Sequence, residues 1–155
     1  MTTRSVVHDT FTIERRYDAP PTRVFQAFAD PAAKALWFAG PPEWEQQDGE
    51  FDFSVGGRET SGGGPAGGPV YTYAALYQDI VDNERIVYNY EMGLDGRRIS
   101  VSLACVQLRA DGDGTRLTIT EHGVFLDGLD EPRMRIEGTT QMLDALGGSL
   151  KQQVA

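Results

Sequence analysis

The chain has few of the residue types on which many protein functions depend. Its 155 residues include one cysteine, Cys105, two histidines, His8 and His122, and only two lysines, Lys34 and Lys151. A single cysteine cannot form an internal disulfide, so we expect a reducing, cytoplasmic location. No histidine or cysteine spacing resembles a zinc site, so we expect no metal and no other cofactor.

Long apolar runs and excess positive charge are also missing. No apolar run approaches the ~20 residues of a membrane-spanning helix, and the N-terminal sequence lacks the ~7–15-residue apolar segment of a signal peptide. The formal net charge is −9, and such a surface is unsuited to binding the phosphates of nucleic acids. We therefore expect no nucleic-acid partner and no membrane span.

The hydrophobic content is ordinary for a globular protein, at 40% of the residues. A chain of this length suits one domain with a substantial core. We expect residues 11–152 to form that domain, preceded by a frayed N-terminal extension of residues 1–10. The literal G-x-G-x-x-G at Gly62 to Gly67 is followed by Pro69 rather than by a helix, so it does not predict a dinucleotide site.

Alternating and helical patterns divide the chain into elements. Phe11 to Tyr17 alternates as a half-buried strand, and two short helices follow, each opened by proline. Asp48-Gly49 predicts a hairpin turn between Trp44–Gln47 and Glu50–Val55, and the next break is a glycine-rich loop that could act as a lid. We predict that this loop spans residues 56–69. The pattern then predicts strands at 70–80, 85–92, 99–108 and 116–124 and a final helix at 134–151.

This order predicts an α+β fold in which a curved antiparallel sheet of about six to seven strands grips a long C-terminal helix. Ile99, Val101, Leu103 and Cys105 share one face of their strand, which we expect to point inward. The two glycines near the end of the helix, at positions 147 and 148, cost helical stability. We therefore expect the helix to be anchored at its middle and loosest after residue 145.

Several short motifs, in order over residues 11–150, resemble one known superfamily. They are Ala19-Pro20 with Val24-Phe25, Asp30-Pro31 followed by Trp37, Gly40-Pro41, Val55-Gly56-Gly57, Glu84 to Val87, Gly114 to Thr118 with Glu121 and Gly123, and Glu137-Gly138. The chain resembles the START-like, helix-grip (SRPBCC, birch-pollen-allergen-like) superfamily, and within it the bacterial branch similar to the activator of heat-shock protein 90 ATPase. It departs from that branch at Thr139, where the family usually has tryptophan.

The resemblance implies a cavity between the sheet and the last helix that holds a small hydrophobic molecule or lipid. Aromatic periodicity alone is equally typical of a filled core. The residues expected to bind such a ligand are Phe25, Phe28, Trp37, Phe38, Phe53, Tyr73, Tyr88, Val101, Leu103, Leu117, Ile119, Glu121, Met142 and Leu146. Tyrosine pairs at 71/73 and 88/90 would supply hydroxyl groups to orient the ligand.

Two other functions stay open at this point. Glu121 continues the face of Leu117 and Ile119, so it could be a buried acid or base in a cyclase-like or hydrolase-like enzyme acting on a polyketide or aromatic metabolite. We favour the plainer interpretation, in which the strand ends or bulges and Glu121 meets solvent or an arginine. The resemblance also implies a protein-interaction module similar to a co-chaperone, and the sequence is compatible with a homodimer.

Overall fold

The alternating segments build one antiparallel sheet in the computed structural model, which describes residues 3–152. The strands follow the order β1-β7-β6-β5-β4-β3-β2 across the sheet. The elements along the chain are β1 (Val6–Tyr17), α1 (Pro21–Ala29), α2 (Pro31–Ala35), β2 (Glu45–Gln47), β3 (Arg58–Gly64), β4 (Tyr71–Val81), β5 (Arg85–Leu94), β6 (Arg97–Asp111), β7 (Gly114–Leu126) and α3 (Pro132–Gln152). The predicted helix-grip architecture is confirmed.

The two short helices form because proline and aspartate define their ends. Pro21 opens α1, where its missing N–H is not needed. The Asp30 carboxylate accepts a hydrogen bond from the Ala33 N–H at 3.0 Å and so caps α2. The indole N–H of Trp37 donates to the Ala27 carbonyl at 2.8 Å, which fixes the end of α2 against α1.

The core lies between the inner face of the sheet and the helices. Its fully buried side chains come from α1, from the middle strands and from the second half of α3. They include Val24, Ile86, Val106, Leu117 and Leu146. The Tyr17 hydroxyl donates to the Leu143 carbonyl at 2.8 Å and joins the first strand to the last helix. This core occupies one end of the space between sheet and helix and leaves the other end for a site.

The first strand begins earlier than predicted. β1 starts at Val6 and pairs with β7 from Val6↔Leu126 onward. His8 therefore lies in a paired strand opposite Val124, and the expectation of a frayed terminus at this residue is wrong. The first two residues of the predicted extension lie outside the described residues. The division into an extension and one domain stays a prediction.

The predicted hairpin around Asp48-Gly49 and the loop at 56–69 are also wrong. β2 pairs with β3, as in Gln47↔Gly62, and β3 then pairs with β4. Glycines allow this close pairing, because a Cβ on Gly64 would lie 2.0 Å from the Pro69 carbonyl oxygen. A Cβ on Gly49 would lie 1.8 Å from the Thr60 carbonyl oxygen. Half of the glycine-rich segment is thus a strand, and the glycines within that strand serve close packing.

The predicted inward face of β6 is wrong for Val101, Leu103 and Cys105, although Ile99 is buried as predicted. Val101 and Leu103 are 39% and 53% exposed, whereas Ser100, Ser102 and Ala104 are buried. Cys105 lies on the outer face with the first two and is half-buried. The small residues point inward because that side faces Tyr90 and the first turn of α3. Large apolar side chains would fill the space that these small residues leave open.

Packing also reverses the expectation for α3. Leu146, Ser149 and Leu150 are all at most 5% exposed, and the Arg23 guanidinium donates to the Leu150 carbonyl. The half after residue 145 is therefore anchored in the core. The first half instead lines the cavity described below, with Met134 59% exposed at its outer end.

Candidate functional site

A cavity of about 600 Å³ lies between the inner face of the sheet, the end of α2 and the first half of α3. This volume is typical of sites for small molecules. On the sheet side it is lined by residues of β3, β4, β5 and β7, whereas Ser100 and Ser102 of β6 contact Arg135 beside it. Ser100 and Ser102 stand on a strand whose neighbours carry Tyr90 and Phe125.

Aromatic rings form most of the apolar wall. Tyr73 packs against Phe38 and Tyr90, with ring centroids 5.1 Å and 5.3 Å apart. Tyr88 lies 5.9 Å from both Tyr77 and Tyr90 by the same measure. The tyrosines thus form a continuous series along β4 and β5, with their hydroxyl ends on the cavity side of the sheet. Such a wall suits an apolar or aromatic molecule.

Nine of the residues predicted to bind a ligand line this cavity. They are Phe28, Trp37, Phe38, Phe53, Tyr73, Tyr88, Ile119, Glu121 and Met142. Phe25, Leu117 and Leu146 are buried in the core beside it. Val101 and Leu103 lie on the outer face of β6, so their expected place in the cavity is wrong for the reason given above. Ligand binding by the nine stays a prediction.

Glu121 is buried in the cavity wall rather than solvated. It is 3% exposed, and β7 continues without a bulge to Leu126, so the expectation that the strand ends or bulges and exposes it to solvent is wrong. The arginine that the same interpretation allowed is present, because the charge of Arg135 acts on Glu121. Its carboxylate accepts a hydrogen bond from the Tyr90 hydroxyl at 2.5 Å. Burial raises the pKa of Glu121 above its ordinary value, and the Tyr90 hydrogen bond and Arg135 charge oppose that rise.

Arg135, in the first turn of α3, joins this pair to the edge of the cavity. Its guanidinium donates to the Tyr90 hydroxyl at 3.0 Å and to the Ser100 hydroxyl at 2.9 Å. It also forms an ion pair with Asp130. Desolvation would lower the pKa of Arg135, but Tyr90 and Asp130 outweigh it and the pKa is raised. The guanidinium therefore stays charged, and it fixes the position of the Tyr90 hydroxyl.

A second polar cluster lies at the other side of the same cavity. The Lys34 ammonium donates to Glu59 at 2.5 Å and to the Tyr77 hydroxyl at 3.3 Å. The Tyr77 hydroxyl in turn donates to Glu59 at 2.7 Å. Desolvation lowers the pKa of Lys34, against the opposing effect of the Glu59 charge. Lys34 and Glu59 are 8% and 6% exposed.

Among the hydroxyl groups on the cavity wall, those of Thr139, Tyr73 and Tyr88 have no hydrogen-bond partner among residues 3–152. The Thr139 hydroxyl is completely buried without one, although the neighbouring Thr140 donates to the Ile136 carbonyl in the usual helical manner. The hydroxyls of Tyr73 and Tyr88 likewise make no hydrogen bond within this range. Burial raises the pKa values of both tyrosines well above the ordinary range, so both keep their protons. Buried polar groups usually have partners, and a bound molecule could supply them.

The mouth of the cavity lies between the segment after α2 and the start of α3. Trp44 stacks on Tyr71 with ring centroids 5.3 Å apart, and Met134 is exposed beside the opening. Gly62 and Gly63 of β3 also line this end. The packed end of α3 takes no part in this opening, whereas the glycine-rich segment borders it.

The sequence reasoning missed Lys34, Glu59, Tyr77 and Arg135 as site residues. Lys34 carried a signal, since it stands alone in the apolar segment AAKALWF. The pairing with Glu59, by contrast, required the register of β3, which the sequence did not predict.

Within the described range, no group of three or more histidine, cysteine, aspartate or glutamate residues could hold a metal ion. No described helix is long and apolar enough to cross a membrane.

A curved antiparallel sheet, a long helix across it and a cavity between them define a helix-grip protein. The family model for Activator of Hsp90 ATPase homolog 1-like proteins matches residues 18–151. The chain belongs to this family, which confirms the resemblance stated above. Comparison with curated proteins gives no match.

Solved structures from two rhizobia are similar over almost the whole chain. A protein from Rhizobium loti is 46% identical, with 94% of this chain and 99% of that chain covered and a TM-score of 0.87. A protein from Rhizobium leguminosarum is 43% identical, with 98% and 100% covered and a TM-score of 0.92. An AHSA1-like protein from Aeromonas hydrophila, 19% identical with 93% of each chain covered and a TM-score of 0.70, shares the fold.

Proposed function

We propose that the chain binds a small, mainly apolar molecule that carries a polar group. The observation that carries this proposal is the cavity of about 600 Å³, whose aromatic wall bears the hydroxyls of Tyr73 and Tyr88, which make no hydrogen bond within residues 3–152. The fold of this family is compatible with ligand binding. The aromatic lining of the cavity suits a ligand whose body is aromatic or otherwise apolar. The polar group would hydrogen-bond to Tyr73 or Tyr88.

Burial of apolar ligand surface would drive the binding. Each Å² removed from water contributes about 25 cal/mol, and a few kcal/mol of association cost must be subtracted. The polar group adds specificity more than affinity, because a ligand without it leaves buried hydroxyls unsatisfied. The proposal therefore predicts that an aromatic alcohol binds more tightly than the matching hydrocarbon.

Substitutions at Thr139 test this proposal on the intact fold. Thr139→Trp places the family's usual side chain in the cavity wall, so we expect it to fill the space and abolish binding of naphthalenemethanol. Thr139→Val keeps the branched shape and removes only the hydroxyl, so binding should persist. Native mass spectrometry and thermal shift report both. Equal binding by wild type and Thr139→Trp would place the ligand elsewhere, and no binding by wild type would refute the proposal.

An acid–base enzyme is the second candidate, because Glu121 and Tyr90 share a hydrogen bond on the wall of one void. A buried carboxyl with a raised pKa is suited to moving a proton near neutral pH. Its reaction class would be proton abstraction beside a carbonyl, as a cyclisation of an aromatic metabolite requires. The fixed Arg135 charge would stabilise negative charge that develops near Tyr90.

Solvent exchange tests the enzyme candidate. Wild type should speed deuterium incorporation into the methyl group of acetonaphthone in heavy water, measured by NMR. Glu121→Gln should slow the enzyme-dependent exchange by ~10²–10⁴-fold. Glu14→Gln, an exposed carboxylate on β1, is the matched control and should have no effect. Equal rates in wild type and Glu121→Gln, with the ketone shown to bind, would exclude this candidate.

A further inference from the structure

Lys34 is a buried amine on the wall of the ligand cavity. The short helix α2 places it there, because the capped turn at Asp30 directs the residues after Pro31 back over the sheet. Its Nζ lies 4.5 Å from the centre of the Phe38 ring and 5.1 Å from that of Phe51. These rings line its approach with apolar surface.

The hydrogen bonds of Lys34 leave one of the three N–H donors of its ammonium group without a partner among residues 3–152. An ammonium group has three N–H donors, and within residues 3–152 two are used, one by Glu59 and one by Tyr77. Glu59 is also the nearest proton acceptor and is itself held by the Tyr77 hydroxyl. A purely structural ion pair needs no cavity, but Lys34 and Tyr77 both line this one.

We propose that Lys34 is a covalent site for apolar aldehydes or ketones, which it captures reversibly as an imine. The inference rests on the proposed binding of an apolar molecule in the same cavity. It assigns a substrate class, carbonyl compounds, that the binding proposal alone does not. Glu59 takes and returns protons, and Tyr77 positions the Glu59 carboxylate.

The protons and electrons balance within this cluster. The Lys34 ammonium first gives a proton to the Glu59 carboxylate, and the free amine then adds its electron pair to the carbonyl carbon. The carbonyl oxygen takes the proton from Glu59, and the nitrogen returns one of its own. The resulting carbinolamine loses its hydroxyl as water with that last proton. The product iminium ion carries the positive charge that Lys34 had, so the ion pair with Glu59 persists.

Reductive trapping with two matched probes tests the inference. Naphthaldehyde and naphthalenemethanol share one ring system, but only the aldehyde can form an imine. With cyanoborohydride present, we expect the aldehyde to label Lys34 irreversibly, on the order of ten-fold or more faster than the exposed Lys151, because the cavity holds the two groups together. Intact mass and peptide mapping measure the adduct at each lysine. Lys34→Arg should abolish the cavity label and leave that at Lys151 unchanged.

Glu59→Gln keeps the shape of the cluster and removes the proton acceptor, so we expect labelling of Lys34 to slow while the alcohol still binds.

The outcomes separate the two proposals. If the alcohol shifts the melting temperature but the aldehyde labels Lys34 no faster than Lys151, the inference is overturned and the binding proposal stands. If neither probe binds and Lys34 is not labelled, both fail. Unchanged labelling in Glu59→Gln would remove the role given to that carboxylate.

Discussion

At the scale of single residues, Glu121 is a buried carboxylate that accepts a hydrogen bond from the Tyr90 hydroxyl. Alternation with Leu117 and Ile119 correctly predicted that its side chain points inward. The plainer interpretation prevailed because a buried carboxylate is costly, and its partners could not be located from the sequence. Tyr90 lies on β5 and donates to Glu121, and Arg135 of α3 donates in turn to the Tyr90 hydroxyl. Only the assembled fold brings them together.

Lys34 and Glu59 give a second case at this scale. They are 25 residues apart in the chain, and each looks like an ordinary surface charge when considered alone. Glu59 lies in a segment rich in glycine, where the composition indicated a loop. The pair becomes visible only when β3 is recognised as a strand, because its register against β4 turns Glu59 inward.

The raised pKa of Glu121 predicts a specific dependence of stability on pH. Between its ordinary value of 4.5 and its higher value in the folded protein, the folded state holds more protons than the unfolded state. Stability therefore falls as pH rises through that window. Glu121→Gln removes the ionisation, so its melting temperature should lie above that of wild type at neutral pH and converge with it below pH 4.5. A thermal-shift series over pH measures this, and parallel curves at all pH values would contradict it.

At the scale of single elements, β6 shows why periodicity alone can assign the wrong face. Its two faces alternate as predicted, but over residues 100–104 the larger apolar residues, Val101 and Leu103, point outward and the serines point inward. Hydrophobicity usually identifies the buried face. Here the inward side must accommodate the Arg135 guanidinium, which Ser100 and Ser102 contact. Where a strand packs against a buried charged side chain, as β6 does against Arg135, small polar residues occupy the inward positions.

A matched pair of substitutions tests this orientation. Ser102→Leu adds bulk beside Arg135, so we expect a loss of ~1–3 kcal/mol in unfolding free energy through overpacking. Leu103→Ser changes the neighbouring, exposed position, so we expect a change within ~0.5 kcal/mol. Urea denaturation of both variants measures the difference. A larger loss for Leu103→Ser than for Ser102→Leu would show that the faces are the other way round.

The end of α3 provides a second test at this scale. A Cβ on Gly148 would meet nothing within 4 Å, so Gly148→Ala should stabilise the protein by ~1 kcal/mol. A Cβ on Gly147 would lie 3.1 Å from the Tyr17 ring. The hydrogen bond from the Tyr17 hydroxyl to the Leu143 carbonyl holds that ring in place. Gly147→Ala should therefore gain less or lose stability. Calorimetry of both variants decides, and an equal gain would show that Tyr17 yields easily.

At the scale of the whole molecule, the order of elements was predictable because it depends on local signals. Proline-opened helices, turn residues and alternating strands each appear in the sequence. The family's motifs then specified how the pieces assemble. The pairing of β2 with β3 was not predictable. Asp48-Gly49 is a common hairpin signal, whereas the observed pairing depends on a close approach between Gly49 and the backbone of Thr60, which is eleven residues further along the chain. The cavity follows from that assembly.

A protein-interaction module would present a contiguous exposed patch of apolar side chains. In the described part, the exposed large apolar side chains include Val6 and Val7 on β1 and Val101 and Leu103 on the outer face of β6. Met134 is exposed on α3. A protein partner, a homodimer and a cytoplasmic location therefore stay predictions, and the cavity is the feature on which the proposed function depends.

Contacts between a bound probe and labelled methyl groups test that function most directly. With naphthalenemethanol at saturation, we predict nuclear Overhauser effects from its ring protons to the methyl groups of Ile119 and Met142, which line the cavity. We predict none to Val101 and Leu103, which are exposed on the outer face of β6. Contacts to the outer methyl groups alone, or to none of the four, would contradict the account.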